Sequence, residues 1–237
     1  MGPLRVLAGL LVALAGAAAA DFSGTIEAVE TLETAQAPAA DRAELDDYLR
    51  TLQDRLARTR AARLVASGPA ARILAQDETT YQNELDQCLF ARGGAVVVGR
   101  TRLWVADGRV RLEGDFGTIL ADRTAGRAWI AAGEAVVETT LLPPPPPLTG
   151  EVQSDGTLRV ALMVDGQSAV AVVRPEVANP FALVVLPQGQ VVGSGLGAAL
   201  ATLPGLPVRV EMAGRTTRRL IFTATEGAVD PAMLATP

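Results

Sequence analysis

The side chains of this sequence best able to do acid–base chemistry are carboxylates, because histidine is absent altogether. Two pairs stand close together, Asp46 with Asp47 and Glu113 with Asp115, and a glycosidase needs two carboxyl groups flanking the scissile bond. Neither pair comes with an aromatic surface on which a sugar could stack, and acids on a charged helix or beside a turn stay solvated. Lack of histidine excludes the Ser-His-Asp and Cys-His arrangements and most transition-metal sites. Cys88 stands alone, so it forms no intrachain disulfide, and its expected state is a buried, inert thiol. Gly193-Ser194-Gly195-Leu196-Gly197 has the look of a phosphate-cradling loop, but its spacing is GxGxG instead of GxGxxG and no βαβ repeat surrounds it. Asp107, Asp155 and Asp165 each precede a glycine in an isolated turn, without the dense oxygen ligands that calcium requires. The expectation is a protein that is not an enzyme, with no catalytic residue, metal or cofactor.

Its N-terminal stretch carries a different kind of information. Arg5, an apolar run from Val6 to Ala15, and Ala18-x-Ala20 ahead of Asp21 predict a secretory signal peptide over residues 1–20, cleaved near Ala20-Asp21. The expected location is periplasmic or secreted, in a bacterial cell. Cleavage there leaves Asp21 and not cysteine at the new terminus, so lipoprotein-type anchoring is not expected. No later stretch approaches the roughly 20 apolar residues of a membrane span. The 237 residues include 21 basic and 26 acidic ones, a net charge of −5, which argues against nucleic acid as a partner. Every basic residue is arginine, a bias that fits a GC-rich coding sequence.

The elements that must position any site follow from periodicity. Residues 22–30, which alternate from Thr25 onward, read as a first strand, and Ala35 to Ala40 reads as a loop. From Asp41, Leu45, Leu49, Leu52 and Leu56 recur at three- and four-residue intervals, which predicts a helix to about residue 64. Asp41 and Glu44 at its start and Arg55, Arg58, Arg60 and Arg63 toward its end complement the helix dipole. Ser67-Gly68-Pro69 stops it, and a shorter helical piece is expected from Ala70 to Gln76. Beyond Glu78, short apolar segments separated by glycine turns predict an antiparallel meander. The clearest hairpin is Thr101 to Ala106, Asp107-Gly108, then Arg109 to Glu113, since Asp-Gly supplies positive φ angles.

Thr118 to Ala121, Arg127 to Ala131 and Ala135 to Thr140 continue the pattern. Pro143 to Pro147 have no N–H to donate and are expected to form a stiff connector between two halves of the sheet. Strands are then expected at Leu158 to Val164, Ser168 to Val173, Ala182 to Leu186, Val208 to Met212 and Arg218 to Thr225, with a short helix at 196–203. Leu158, Val160, Leu162 and Val164 oppose the equally apolar Ala161 and Met163, so this sheet needs cover on both faces. The expected fold is mainly β, in the α+β class. It is a single domain over 21–237 with a helical insert at about 41–76, a strongly curved antiparallel sheet and a covering N-terminal helix.

Leu103-Trp104-Val105, Val110-Arg111-Leu112-Glu113, Ile119-Leu120-Ala121-Asp122 and Ala128-Trp129-Ile130 together resemble the middle of the LolA-like periplasmic lipoprotein-carrier superfamily. Gly205-Leu206-Pro207-Val208-Arg209-Val210-Glu211 is similar to the Gly-Leu-Pro strand of that superfamily's uncharacterised secreted relatives. Asp122-Arg123-Thr124-Ala125-Gly126 departs from the usual Asp-Gly at its position, aromatic residues are few, and the insert at 41–76 is long. The resemblance implies an incompletely closed β-barrel whose hollow, plugged by helices, takes acyl chains or another hydrophobic ligand.

Two functions follow as expectations. The first is a periplasmic binding or carrier protein for a hydrophobic ligand, lipid or acyl, or for a lipidated protein. Its candidate pocket and lid residues are Leu49, Leu52, Leu56, Trp104, Leu112, Leu120, Trp129, Leu162, Val210 and Phe222, with Arg111 meeting a headgroup. The second is a non-catalytic cell-envelope interaction module that uses Arg55, Arg58, Arg60 and Arg63 to meet an acidic partner. A hollow packed with large side chains favours the module, and an open cavity favours the carrier.

Overall fold

A computed structural model describes residues 21–34, 42–187, 196–214 and 216–235. The expected signal peptide, the loop from Ala35 to Ala40 and residues 193–195 of the glycine-rich loop lie outside the described residues, while Leu196 and Gly197 open the short helix Leu196–Ala201. Chain order begins with strand β1 (Gly24–Thr34), helices α1 (Arg42–Val65) and α2 (Gly68–Arg92), and the long strand β2 (Gly94–Ala106). A meander follows: β3 (Arg109–Gly114), β4 (Gly117–Asp122), β5 (Arg127–Ala132) and β6 (Ala135–Thr140). Then come β7 (Glu151–Val152), β8 (Leu158–Val164), β9 (Gln167–Arg174), α3 (Leu196–Ala201), β10 (Leu206–Met212) and β11 (Thr217–Glu226).

All eleven strands belong to one antiparallel sheet in the order β6-β5-β4-β3-β2-β1-β11-β10-β9-β8-β7. The outermost strands β6 and β7 do not pair with each other, so the sheet is open. They are consecutive in the chain all the same, and the segment joining them contains Pro143 to Pro147. The proline run thus links the two edges of the sheet, as its missing donors require. The Leu142 N–H donates to the Val185 carbonyl at 2.8 Å and the Leu148 N–H to the Thr202 carbonyl at 2.8 Å, which tie it down at both ends.

The two Asp-Gly hairpins form as the residue types demand. Asp107 and Gly108 have φ of 51° and 74°, and Asp165 and Gly166 have 50° and 78°. Two consecutive positive φ angles match the right-handed twist of the flanking strands.

Two differences from expectation concern helices. α2 continues through Arg92, where the sequence suggested strands from Glu78 onward. Thr79, Thr80 and Tyr81 are weak helix formers, but Leu85, Cys88 and Leu89 are buried on one face against α1, and tertiary packing overrides propensity. Gly93, at φ 74°, then ends the helix, its N–H donating to the Leu89 carbonyl at 2.9 Å. The apolar run Ala182 to Leu186 is not a strand. Asn179 caps a single 3-10 turn at Pro180–Leu183, its carboxamide oxygen accepting from the Phe181 N–H at 3.1 Å. Phe181 then stacks edge-on against Phe222 with ring centres 5.7 Å apart.

Side chains divide into two cores. The larger takes one face of the strands, including Ile26, Leu103, Leu112, Ile130, Val160 and Val210. A smaller one holds the α1–α2 pair together through Leu49, Leu52, Leu56, Leu85, Cys88 and Leu89, and rests on Leu32 of β1. The expected cover on both faces is missing at β8, where Met163 is 59 % exposed on the side opposite Leu162. Among the described residues no helix is long and apolar enough to cross a membrane.

Candidate functional site

The eleven residues singled out from the sequence separate into three places. Leu49, Leu52 and Leu56 interlock in the helical core, where i, i+3, i+7 spacing on α1 presents them to α2. Leu112, Leu162, Val210 and Phe222 are buried in the larger core. Trp104, Arg111, Leu120 and Trp129 stand side by side on the other face, because Trp104 pairs with Arg111, Arg111 with Leu120, and Leu120 with Trp129 in successive ladders. Arg111 there donates from Nε to Glu113 at 2.6 Å and from Nη1 to the Met233 carbonyl at 3.4 Å. That contact holds the C-terminal 3-10 turn Pro231–Leu234 against β3.

A cavity of about 770 Å³ opens elsewhere, between α1, α2 and the ends of β1, β8, β9, β10 and β11. Leu32, Val164 and Met212 form its apolar lining and belong to the two buried cores. Charged and amide groups form most of the remainder, with Ala75, Thr79, Gly214 and Thr216. Glu78, Gln82 and Asp86 recur every fourth residue of α2, which puts all three on one side of the helix. Arg60 and Arg63 reach the same space from the last turns of α1, and Arg218 and Asp165 reach it from the sheet.

Glu78 is the hub of this site. Its Oε1 accepts from Arg60 Nε at 3.3 Å and its Oε2 from Arg63 Nη1 at 2.5 Å, with the Glu78 side chain 7 % exposed. Arg60 also lies 3.6 Å from Asp115 at the β3–β4 turn and donates to Gln82 at 3.2 Å; Gln82 in turn donates to Asp86 at 3.1 Å. One guanidinium thus bridges both helices to the meander. Across the cavity Arg218 Nε meets Glu30 at 2.5 Å on the face shared with Leu32. Burial opposes the Arg218 charge, but contact with Glu30 and the fields of Asp165 and Asp86 more than offset it, so its pKa is raised.

Burial pushes the Asp86 carboxyl up from the ordinary carboxylate range, with the Gln82 hydrogen bond opposing the shift. Asp115 is raised as well, again chiefly by burial, with Arg60 opposing. Such groups are held short of full solvation and respond strongly to any charge entering beside them. Among the described residues no cluster of three or more Cys, Asp or Glu side chains could hold a metal ion.

Reading the sequence alone missed Glu78, Asp86 and Arg218. The first two carry a signal, the four-residue spacing Glu78, Gln82, Asp86, which becomes legible once α2 is known to extend past residue 76. Arg218 carries none, since only the β1–β11 pairing places it near Glu30. The arginine group of α1 also divides: Arg55 and Arg58 are exposed, whereas Arg60 and Arg63 turn inward to Glu78. Comparison of the sequence with protein-family models and with curated proteins gives no match.

Proposed function

We propose that this chain is an exported, non-catalytic binding or carrier protein, working in the periplasm, for an amphiphile whose lipid- or acyl-type part enters between the α1–α2 pair and the sheet. The observation that carries this reading is the cavity of about 770 Å³, whose apolar side runs into both buried cores. Its size suits one small amphiphile, since ligand pockets hold roughly 300–1,000 Å³. In this reading Leu49, Leu52 and Leu56 keep the helical lid rigid, and Leu162, Val210 and Phe222 support the floor from below.

An incompletely closed barrel with the helix pair lying across it is the architecture this function calls for, and the chain's connectivity supports it. Laid flat, eleven strands would hold β6 and β7 about 48 Å apart. The connector over residues 141–150 spans at most about 40 Å even when fully extended. A flat sheet therefore cannot be joined this way, and bending it brings its two edges together. The same architecture is what the resemblance to LolA-like carriers implies.

Mass spectrometry of an organic extract from protein purified without detergent tests the reading. A stoichiometric amphiphile in the extract is the expected result. A clean extract from folded protein, together with no uptake of added amphiphiles, overturns it in favour of the envelope interaction module.

A further inference from the structure

The segment that follows β11 is held to the fold at one point. From Thr225 to Ala235 its only buried side chain is Leu234, 5 % exposed. Among the described residues, the one hydrogen bond joining the turn Pro231–Leu234 to the sheet is that from Arg111 to the Met233 carbonyl, at 3.4 Å. The turn's other bonds are its own. Asp230 accepts from the Ala232 N–H at 2.9 Å through its carboxylate and from the Met233 N–H at 2.9 Å through its carbonyl, and Pro231 occupies the first position, where no N–H is needed. The shape of the turn is thus set by its own residues. It lies on the row Trp104, Arg111, Leu120 and Trp129, which crosses β2 to β5. Leu120 points away from the larger core yet is only 4 % exposed, and neither Leu120 nor Leu234 belongs to either core. The rows on both sides are polar, Arg102, Glu113 and Thr118 on one and Arg109, Asp122 and Arg127 on the other. Two tryptophans, a leucine and an arginine framed by charge have the composition of an interaction site, not of a solvated sheet face.

We propose that this row is a docking site for a partner protein presenting an acid-capped Pro-x-x-Leu turn, and that Asp230 to Leu234 occupy it as a releasable competitor from within the chain. With one buried leucine and one long hydrogen bond to give up, the turn leaves the sheet without opening either core. Local opening of this kind is far more frequent than global unfolding. The open state then offers a partner what the chain's own turn uses, an apolar row for a leucine and the Arg111 guanidinium for a backbone carbonyl. The row lies on the opposite face of the sheet from Val164 and Met212 of the cavity lining, so docking here stands whether or not the cavity takes an amphiphile.

Trp104 and Trp129 are the chain's two tryptophans and both stand in the row, so intrinsic fluorescence reads the site directly. Leu234→Asp in the full chain removes the anchor and leaves the row whole. Its emission should shift to the red while its circular dichroism stays that of the wild type. A synthetic peptide of residues 228–237 should reverse the shift, and should bind this variant about tenfold or more tighter than the wild type, in which the resident turn must first be displaced. The same peptide carrying Leu234→Asp should not bind. Equal affinity for variant and wild type, no binding to the folded variant, or binding of the substituted peptide as tight as the original overturns the docking site. Unfolding of Leu234→Asp overturns it too, since the turn would then be part of a core and not releasable. A dimer of concentrated wild-type protein that the peptide dissolves would give the site to a second copy of this chain and overturn the separate partner.

Discussion

Arg60 of α1 and Glu78 of α2 meet at 3.3 Å with side chains only 12 % and 7 % exposed, so the helix pair is joined by an ion pair largely removed from water. The benefit of such a pair lies less in its formation than in the cost of breaking it, because the surviving charge stays buried. Glu78→Ala takes the carboxylate from Arg63 and leaves Arg60 with Asp115 and Gln82 only. The expected loss is about 3 kcal/mol, which in a domain of this size lowers Tm by about 6–12 °C. Replacing both partners, Arg60→Met with Glu78→Leu, should recover only part of that loss, because Arg63 still lacks Glu78 and Asp115 then lacks Arg60. A loss under about 1 kcal/mol for the single variant would show that water reaches the pair and that it behaves as a surface contact.

Asp86 behaves in the opposite sense. Its folded pKa lies above the unfolded one, so the protonated acid is the form the fold prefers. The stability it contributes is fully present below the ordinary carboxylate pKa and is lost as pH rises through the raised folded value. Asp86→Asn, which keeps the neutral form at every pH, should therefore raise stability at pH 7, by less than about 1 kcal/mol once solvent screening is counted. The gain should fade below about pH 4. Thermal melts at both pH values check it, and a destabilised Asn variant at pH 7 would mean that Asp86 already has a cationic partner. A residue that costs stability in the empty protein is one that a ligand can satisfy.

Much of the fold is legible in the sequence, for reasons that can be assigned to residues. Leu49, Leu52 and Leu56 announce α1, and Asp107-Gly108 and Asp165-Gly166 announce their hairpins, because these signals are local. Pro143 to Pro147 announce a break in pairing, but the strands the break connects emerge only from the order of the sheet. A helical piece from Ala70 to Gln76 is legible, but its continuation to Arg92 is hidden by Thr79, Thr80 and Tyr81, whose preferences oppose a helix that α1 stabilises from outside. The site was less legible than the fold. Trp104, Arg111, Leu120 and Trp129 form a row through cross-strand register, and the cavity charges gather from α1, α2, β11 and the β8–β9 turn, whose proximity no local pattern encodes.

Asp122 closes the β4–β5 turn by accepting from the Ala125 N–H at 2.9 Å and from Arg109 Nε at 2.9 Å. The backbone N–H of Ala125 foremost, and then the Arg109 charge, hold its carboxyl below the usual range despite opposing desolvation. A depressed folded pKa contributes stability that is present above the unfolded value of about 3.9 and is lost as pH falls through the folded one. Asp122→Ala should cost about 1.5–3 kcal/mol near neutral pH, and less as the solution is taken below about pH 3. Equal costs at both pH values would show that the side chain acts through packing and not through its charge.

Gly205 is required by proximity. A Cβ built there would lie 2.2 Å from the Arg174 carbonyl oxygen and 2.8 Å from the Pro175 Cα, both backbone atoms with no room to turn away. Its neighbour Leu206 is fixed on that same segment, its N–H donating to the Val177 carbonyl at 3.1 Å. Gly205→Ala must push β10 and the end of β9 apart, at a cost of about 1–3 kcal/mol. Guanidinium denaturation should show a lower midpoint with an unchanged m value; wild-type stability would mean that the strands separate without penalty.

Cys88 reports on the α1–α2 pair without disturbing it. The thiol is 6 % exposed, points its Sγ–H toward the Leu45 carbonyl at 3.8 Å, and has its pKa raised first by burial and then by the Asp46 charge. Both proximity to solvent and thiolate content are therefore low, and a disulfide reagent should modify the native protein only when α1 and α2 part. Labelling should be slow in the native state, immediate in denaturant, and faster in Glu78→Ala in proportion to the stability that variant loses. If the amphiphile sits between the helices and the sheet, adding it should slow labelling further, because binding to the closed form alone shifts the opening equilibrium. Native labelling at the rate of a free thiol would refute the packing of Cys88 between Leu49, Leu85 and Leu89.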